Sequence, residues 1–412
     1  MSYRDLATRP VLTWALVAVG ARAPVAMAPL AVVFMVRDRP GGYTLGAVLA
    51  AVYVLGEIVG APLLGMRLRA ERARPHLALG LAGGAVGFAA LGLAHDAHPV
   101  VLGAAAFVAG AAPAATSGGL RAMLASLVPE KAVQQAVSAE SMLIFGIWSV
   151  TPAVTTWLAL SVLPYLPMLL AAGLMAAAVA GLWALPPGWR ADTADRGGEP
   201  MRRVLWRAWP VYVTGAAGIS LLALAELVLP ALLEQRGLAL GWAGPLLAGF
   251  SAGSAAGAFV YGLRSWPGTL RAQSLVLLLA VSGCVALVAL VPGAVWLAGL
   301  LVLAGVLQAG AMLTRNMLLR EVLPPSALAA GYSVMYAAVG AGYAVTGTLS
   351  GVLLRSVAPS TAILAGVGLT LLLTVVGVLR EPTRDRSAGD GVASSRAEGA
   401  PVDGRRDPER SL

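Results

Sequence analysis

Long apolar runs alternate with short polar breaks along almost the whole chain. A helix needs about 20 apolar residues to cross the hydrocarbon core of a bilayer, and twelve runs approach or exceed that length. The breaks between them contain charged residues, proline or glycine, as in RDRPGG at 37–42. The predicted spans, numbered in chain order, are residues 10–36, 43–66, 76–95, 99–128, 134–160, 163–186, 208–233, 240–263, 271–291, 294–319, 327–353 and 357–379.

Two longer polar segments remain outside these spans. The segment PGWRADTADRGGEPMRRVLWR at 187–207 separates the first six spans from the last six. The segment 381–412 has almost no apolar residues, which is typical of disorder. The pattern therefore predicts an N-terminal six-helix bundle at 1–186, a cytoplasmic linker at 187–207, a C-terminal six-helix bundle at 208–380 and a disordered cytoplasmic tail at 381–412.

Composition supports a membrane protein. Of 412 residues, 58% are hydrophobic and only 12% charged, and mean hydropathy is +0.80, whereas soluble chains are about 25% charged. The net charge of +9 is also compatible with nucleic-acid binding, but the basic residues lie in breaks between apolar runs and form no basic face. Cations that flank spans attract anionic cytoplasmic lipids. The expected surroundings are therefore membrane lipids, with no nucleic-acid partner.

The cations in the breaks also predict an orientation, because cytoplasmic loops carry an excess of Lys and Arg. With a cytoplasmic N-terminus, only Arg37, Arg39, Arg236 and Arg355 fall in outside loops. The inside loops then carry Arg67, Arg69, Arg72, Arg74, Lys131, Arg190, Arg196, Arg202, Arg203, Arg207, Arg264, Arg271 and Arg320. The sequence predicts a multi-pass protein of the inner (cytoplasmic) membrane with both termini in the cytoplasm.

The two halves of the chain resemble each other. RAMLASLVPEKAVQQAVS at 121–138 matches RNMLLREVLPPSALAAGYS at 315–333, and LGMR at 64–67 matches YGLR at 261–264. Pro10 and Pro29 likewise match Pro210 and Pro230 with a slip of one residue. The matches share order and spacing, so they indicate an internal repeat of six spans. Transporters built from two parallel halves have this plan.

Small residues and prolines predict local features of the spans. GFSAGSAAGA at 249–258 places small residues at intervals of four, which allows close contact between helices. Pro113 in span 4 and Pro152 in span 5 are expected to kink or loosen their helices. Cys284, which lies in an apolar run, is expected to be a small buried hydrophobic residue.

With its twelve spans and half repeat, the chain resembles the major facilitator superfamily, and within it the efflux-type bacterial members. GMRLRAERAR at 65–74 keeps Gly65 and the cations of the family's loop between helices 2 and 3, but lacks its Asp and second Gly. GIWSVTPAV at 146–154 keeps Gly146 and Pro152 of the antiporter pattern, with Thr151 where Gly is expected. The resemblance implies an all-α integral membrane fold of twelve transmembrane helices in two six-helix bundles related by a pseudo-two-fold axis. In that fold spans 1, 4, 7 and 10 line a central cavity, spans 2, 5, 8 and 11 flank it, and the others face lipid.

Ionisable residues inside the spans follow the same division. Each costs a few kcal/mol or more when it faces lipid, so each is expected to face protein or water. None lies well within spans 3, 6, 9 or 12. The six that do lie well within spans are Arg22, Glu57, Arg121, Glu140, Glu226 and Arg315.

Depth along the helices predicts their pairing. At 1.5 Å per residue, Arg22 lies roughly 18–20 Å from the cytoplasmic start of span 1 and Glu57 roughly 13 Å from the cytoplasmic end of span 2, so we expect them to pair. Arg121 and Glu140 each lie roughly 10 Å deep on the two arms of a hairpin, and they are the predicted cytoplasmic gate pair. Glu226 is nearer the outer face and has no obvious partner in the sequence. Arg315 has no matching carboxylate in span 11, where Met335 takes the expected place.

The roles of these residues stay open between function and structure. Arg22 either holds an anionic or polar substrate group, or gates through Glu57, or forms a structural ion pair. Glu57 and Glu226 are the candidate proton carriers, since a carboxyl in a low-dielectric cavity can exchange a proton near neutrality; the alternative for Glu226 is a helix-end carboxylate in outer water. The remaining candidates for the substrate pathway, with helix packing as the alternative, are Met27, Tyr53, Trp148, Gln308, Arg315, Asn316, Tyr336 and Tyr343.

The sequence favours a transporter over an enzyme. It has no phosphate-binding loop of the GxxxxGK[ST] type and no acidic or Cys cluster, so neither a cofactor nor a bound metal is expected. The leading hypothesis is a monomeric secondary active transporter that exports a small organic molecule, with protons as an open choice of coupling ion. A proton symporter that imports a metabolite is the nearer alternative, and a multi-pass protein without transport activity is the more distant one.

Overall fold

The structure, a computed structural model, describes residues 8–40, 42–188, 198–239, 242–264 and 266–380. The predicted tail at 381–412 and part of the linker lie outside the described residues. The α-helices are α1 (Arg9–Val36), α2 (Gly42–Arg67), α3 (Ala73–Leu93), α4 (Pro99–Ala111), α5 (Thr116–Leu127), α6 (Val133–Ser161), α7 (Leu166–Leu182), α8 (Met201–Arg207), α9 (Trp209–Gln235), α10 (Ala243–Leu263), α11 (Leu270–Leu290), α12 (Ala294–Val322), α13 (Leu328–Leu353) and α14 (Pro359–Arg380).

Each predicted span corresponds to helix in the structure. Among the described residues, eleven helical segments are long and apolar enough to cross a membrane. The twelfth span forms α7, which is apolar but only 17 residues long, because it begins after Tyr165 and ends before the Pro186–Pro187 pair. Span 4 consists of two helices, α4 and α5, separated by a turn at 112–115 that contains Pro113. The loosening predicted at Pro113 is therefore confirmed.

The internal repeat is confirmed by local geometry. Pro129 has φ −60° and ψ 151°, and a short 3₁₀ turn follows it at Glu130–Ala132. Pro324 has φ −67° and ψ 154°, and the same kind of turn follows it at Pro325–Ala327. Both turns lead into a long helix, α6 in the first half and α13 in the second. Matching sequences thus form matching hairpins.

Glycines allow two equivalent helix pairs to approach closely. A Cβ atom added at Gly60 of α2 would lie 2.3 Å from the Ala111 carbonyl oxygen, and one at Gly257 of α10 would lie 2.2 Å from the Val306 carbonyl oxygen. Real Cβ atoms do not come so near to backbone oxygen, so each pair is in direct backbone contact. The small-residue pattern at 249–258 predicted this contact for α10, and α2 with α4 repeats it.

Helix packing follows the same order in both halves. In the first half α2 packs on α4, α3 on α4 and α7, and α1 on α6 and α7. In the second half α10 packs on α12, α11 on α12 and α14, and α9 on α13 and α14. The chain thus forms two six-helix bundles related by a pseudo-two-fold axis, and α8 precedes the second bundle.

The two bundles contact each other through α2, α5 and α6 of the first and α10, α12 and α13 of the second. Successive spans cross in opposite directions, so one end of the molecule collects the helix ends near Arg67, Arg264, Arg320 and Arg380. We call this the basic end, and the other the opposite end. The predicted orientation assigns the basic end to the cytoplasm.

Candidate functional site

A buried ion cluster lies where α1, α5 and α6 meet. The Glu140 carboxylate accepts hydrogen bonds from Nη2 of Arg22 and from Nε of Arg121, the latter at 2.7 Å. Glu140 is 1% exposed and Arg22 is 9% exposed. The predicted contact between Arg121 and Glu140 is therefore present. The predicted pair of Arg22 with Glu57 is wrong, because packing turns Arg22 toward α6, where Glu140 lies at a compatible depth.

The cluster extends into the second bundle. Arg121 donates from Nη1 to the Asn316 side-chain oxygen of α12 at 2.7 Å, and its guanidinium lies 5.5 Å from the centre of the Tyr332 ring of α13. Such a stack of a cation on an aromatic face is favourable. Glu140 of the first half thus positions Arg121, which donates to Asn316 of the second half. Separating the two halves must break the hydrogen bond between Arg121 and Asn316.

Further contacts close the basic end between the bundles. Arg320 donates to Glu130 at 3.1 Å, and the Gln134 amide donates to the carbonyl oxygens of Tyr261 and Arg264 at 2.9 and 3.1 Å. Ser333 of α13 packs against α2 and α5 at positions where glycine leaves room for it. Apolar packing is continuous here as well, since one core cluster contains residues of both halves.

The polar contacts of the opposite end, among the described residues, stay within one bundle. Arg39 donates to the carbonyl oxygens of His95 and Ala97 in the first half. In the second half Arg236 donates to the Val288 carbonyl at 2.9 Å, and Gln235 pairs with Ser360. A second core cluster likewise draws its buried members from the C-terminal half alone. The bundles are therefore joined at the basic end and less closely associated at the opposite end.

Glu57 occupies a separate site on α2, deeper than the basic end. Its Oε1 atom lies 3.4 Å from the hydroxyl of Tyr53 on the same helix and 3.4 Å from the hydroxyl of Tyr336 on α13. Both phenols donate to the carboxylate, so this site also bridges the two halves.

Glu226 has a partner that the sequence did not suggest. Its Oε2 atom accepts a hydrogen bond from the Tyr343 hydroxyl of α13 at 3.2 Å. Glu226 lies nine residues before the end of α9 at Gln235, which is about 13 Å of helix. The alternative reading of Glu226 as a helix-end carboxylate is therefore wrong.

The other predicted pathway residues divide by exposure. Met27, Gln308 and Arg315 are 1–2% exposed, so they belong to the packed interior in this state. The Gln308 amide donates to the Gly218 carbonyl at 2.9 Å and holds α12 against α9. Trp148 is 52% exposed, and it is the one of these four that the protein does not enclose.

Two aromatic residues of the ion cluster were missed in the sequence. Trp14 lies under the Arg22 guanidinium, 5.8 Å from it, and donates from Nε1 to the Leu120 carbonyl at 2.8 Å. The Tyr332 ring packs against the Arg121 guanidinium. Spacing gave a usable signal, because Tyr332 precedes Tyr336 by four residues and so shares its helix face.

The site offers charged groups and hydrogen-bonding groups to a ligand. Among the residues that the structure describes, no group of three or more His, Cys, Asp or Glu side chains is placed to hold a metal ion. What the arrangement can do is bind polar groups at two carboxylates, exchange protons there, and join or release two bundles at the basic end.

The helix order, the repeat and the packing define an all-α fold of two six-helix bundles related by a pseudo-two-fold axis. No family model and no curated protein matches the sequence. Among solved structures, the human organic anion transporter MFSD10 (TETRAN) is similar with a TM-score of 0.70 and 13% identity, over 90% of this chain and 99% of that one.

Two further structures have the same fold. A bacterial homologue of the iron transporter ferroportin, outward-facing with soaked iron, has a TM-score of 0.72 and 13% identity, over 90% of this chain and 98% of that one. The major facilitator superfamily transporter FucP, in its outward conformation, has a TM-score of 0.69 and 13% identity, over 92% of this chain and all of that one (100%). At such identity the likeness concerns the fold.

Proposed function

We propose that the chain is a secondary active transporter of the major facilitator superfamily that moves a small organic molecule across the membrane. The observation that carries the proposal is the asymmetry of the contacts between the bundles. Polar and apolar contacts join the halves at the basic end. Among the described residues, the polar contacts of the opposite end stay within one bundle, and a core cluster there draws its buried members from the second half alone. Alternating access requires two bundles that meet at one end at a time.

Orientation, domain organisation and direction are part of the proposal. The basic end faces the cytoplasm of the cell, the linker at 187–207 and both termini lie there, and the bundles are 1–186 and 208–380. The structure then corresponds to an outward-facing state, which is also the state of two of the similar structures. We place the direction as export, and this rests on the resemblance to efflux-type members alone.

Proton coupling is assigned to Glu57 and Glu226. Both lie inside spans, both are partly exposed, and both accept hydrogen bonds from tyrosine hydroxyls. Glu140 is a poorer carrier, because two guanidinium groups hold it as a carboxylate. The variants Glu57→Gln and Glu226→Gln are each expected to reduce flux driven by a pH gradient in vesicles. Intact gradient-driven flux in both variants would rule out these carriers.

Cysteine accessibility tests the transport cycle without a known substrate. In a chain that carries Cys284→Ala, Glu130→Cys and Arg320→Cys allow the basic end to be cross-linked with a short bis-maleimide. The reporter is Gly340→Cys on α13, where an added side chain has its nearest neighbour, Ile58 of α2, at 4.0 Å. An impermeant maleimide is then added to one side of the membrane or the other.

The free chain is expected to react at the reporter from both sides, because it alternates between two states. The cross-linked chain is expected to react only from the side of the opposite end. A reporter that reacts from one side only, with or without the cross-link, identifies a static membrane protein and refutes the proposal. Accumulation of labelled metabolites and dyes in inside-out vesicles, compared with right-side-out vesicles, separates export from import.

A further inference from the structure

The charged side chains inside the spans differ in how far a ligand can reach them. Arg22 and Glu140 are buried against one another, and Arg315 is buried in the interior. Arg121 is partly exposed, but its charge is paired with the Glu140 carboxylate, and it also donates to the Asn316 side-chain oxygen. Glu57 and Glu226 are partly exposed as well, and the hydrogen bonds the structure gives them come from tyrosines and not from a cation. Among the partly exposed charges of the spans, those that the structure does not pair with an opposite charge are therefore negative.

These two carboxylates face the same side of one helix. Tyr336 and Tyr343 of α13 are seven residues apart, so they lie on one face of the helix and about 10 Å apart along its axis. Tyr336 reaches Glu57 across the boundary between the bundles, which shows that this face is turned toward the first half. Tyr343 reaches Glu226 from the same face at 3.2 Å.

The result is two carboxylate–phenol pairs, two helical turns apart, on the inner face of α13. A positively charged group gains from a carboxylate and from the face of an aromatic ring. A negatively charged group of the same size would instead have to approach two carboxylates in a site of low dielectric, where repulsion is strong. Aromatic rings and small apolar residues such as Gly340 leave room for apolar parts of the ligand.

We infer that the transported molecule is a lipophilic organic cation, which binds along α13 between Glu57 and Glu226. The inference rests on the proposed function for its transport step, and the binding step can be tested on its own. In this arrangement Arg22 has a structural role: its guanidinium contacts Glu140 and the Trp14 ring, and so stabilises the ion cluster near the basic end. The alternative that Arg22 binds an anionic substrate group becomes the opposing outcome of the test.

The experiment measures equilibrium binding of radiolabelled tetraphenylphosphonium to the purified full chain in detergent. Tetraphenylborate, which has the same shape and the opposite charge, is the competing probe. Saturable binding of the cation is expected, with little competition from the borate. Glu57→Gln and Glu226→Gln are each expected to weaken binding by about tenfold or more, because each removes a charge-assisted contact.

Matched variants separate binding from folding. Glu234 is an exposed carboxylate on α9, the helix that also carries Glu226, but it lies outside the proposed site. Glu234→Gln is therefore expected to leave the affinity for tetraphenylphosphonium unchanged. Tyr343→Phe keeps the ring and is expected to bind within a few-fold of the parent chain, whereas Tyr343→Ala is expected to lose more. Each variant must elute as the parent does in gel filtration before its affinity is compared.

Three results overturn the inference. They are the absence of saturable tetraphenylphosphonium binding, tighter binding of tetraphenylborate, and affinities unaffected by both glutamate changes. Tight borate binding that is lost in Arg22→Ala would assign an anionic ligand instead and leave the transport proposal intact. Conversely, cation binding in a chain whose reporter cysteine reacts from one side only would keep the binding site and reject transport.

Discussion

Replacing Glu140 by glutamine tests whether one carboxylate holds the buried cluster together. In the structure this side chain is fully buried and accepts from both Arg22 and Arg121. Glutamine has nearly the same size, so packing is preserved while the negative charge is removed. Its amide nitrogen also places a donor against one guanidinium. Without the carboxylate, the buried Arg22 and the partly buried Arg121 lose their counter-charge.

The expected cost follows from burial. Removing one partner of a buried ion pair costs about 3–5 kcal/mol, because the remaining charge stays buried and uncompensated. Glu130→Gln is the matched control. Glu130 also pairs with an arginine across the bundles, but its side chain is 86% exposed, and an exposed pair contributes only about 0–1 kcal/mol. Glu140→Gln should therefore be much more destabilising than Glu130→Gln.

The single cysteine of the chain provides the assay. Cys284 is buried in α11, so a thiol-reactive dye reports unfolding without any added label. We expect the melting temperature of Glu140→Gln to fall by roughly 5 °C or more, and that of Glu130→Gln to change little. Equal decreases in melting temperature for the two variants, or a more stable Glu140→Gln chain, would show that the buried cluster stabilises the fold no more than the exposed pair does.

Three further changes have expected outcomes in the same assay or in the cross-linking experiment. Gly257→Leu forces α10 and α12 apart and should cost about 2 kcal/mol or more, whereas Gly173→Leu, with nothing within 4 Å of its added Cβ, should be close to neutral. Trp14→Phe loses the buried hydrogen bond to the Leu120 carbonyl and should lower the free energy of unfolding by about 1–2 kcal/mol. Ser333→Val overfills the space that two glycines leave, so it should slow cross-linking at the basic end; unchanged cross-linking would contradict the close packing there.

Position along the helix could be predicted for the charged residues, but the partners of Arg22 and Glu57 could not. Arg22 was expected to meet Glu57, yet it meets Glu140, and Glu57 meets Tyr53 and Tyr336 instead. Residue count fixes how far along a helix a side chain lies, since the rise per residue is constant. It does not fix the rotation of that helix about its axis relative to its neighbours, and that rotation selects among carboxylates at similar depth.

Local pairs were more predictable than distant ones. Arg121 and Glu140 lie on two arms of one hairpin, so the short turn at Pro129 brings them together, and the contact follows from the sequence. The partner of Arg121 in the second half, Asn316, is 195 residues away, and only the docking of the bundles brings it into reach. Tyr343 and Glu226 are likewise joined by the packing of α13 on α9.

The sequence by itself determined that twelve apolar segments form helices, that the halves repeat, and which spans carry charge, because these properties depend on residue type and spacing alone. The tertiary structure decided which charges are neutralised by one another, which carboxylates remain reachable, and at which end the bundles meet. Those outcomes depend on how rigid helices rotate and dock, and the energies involved come from contacts between residues far apart in the chain.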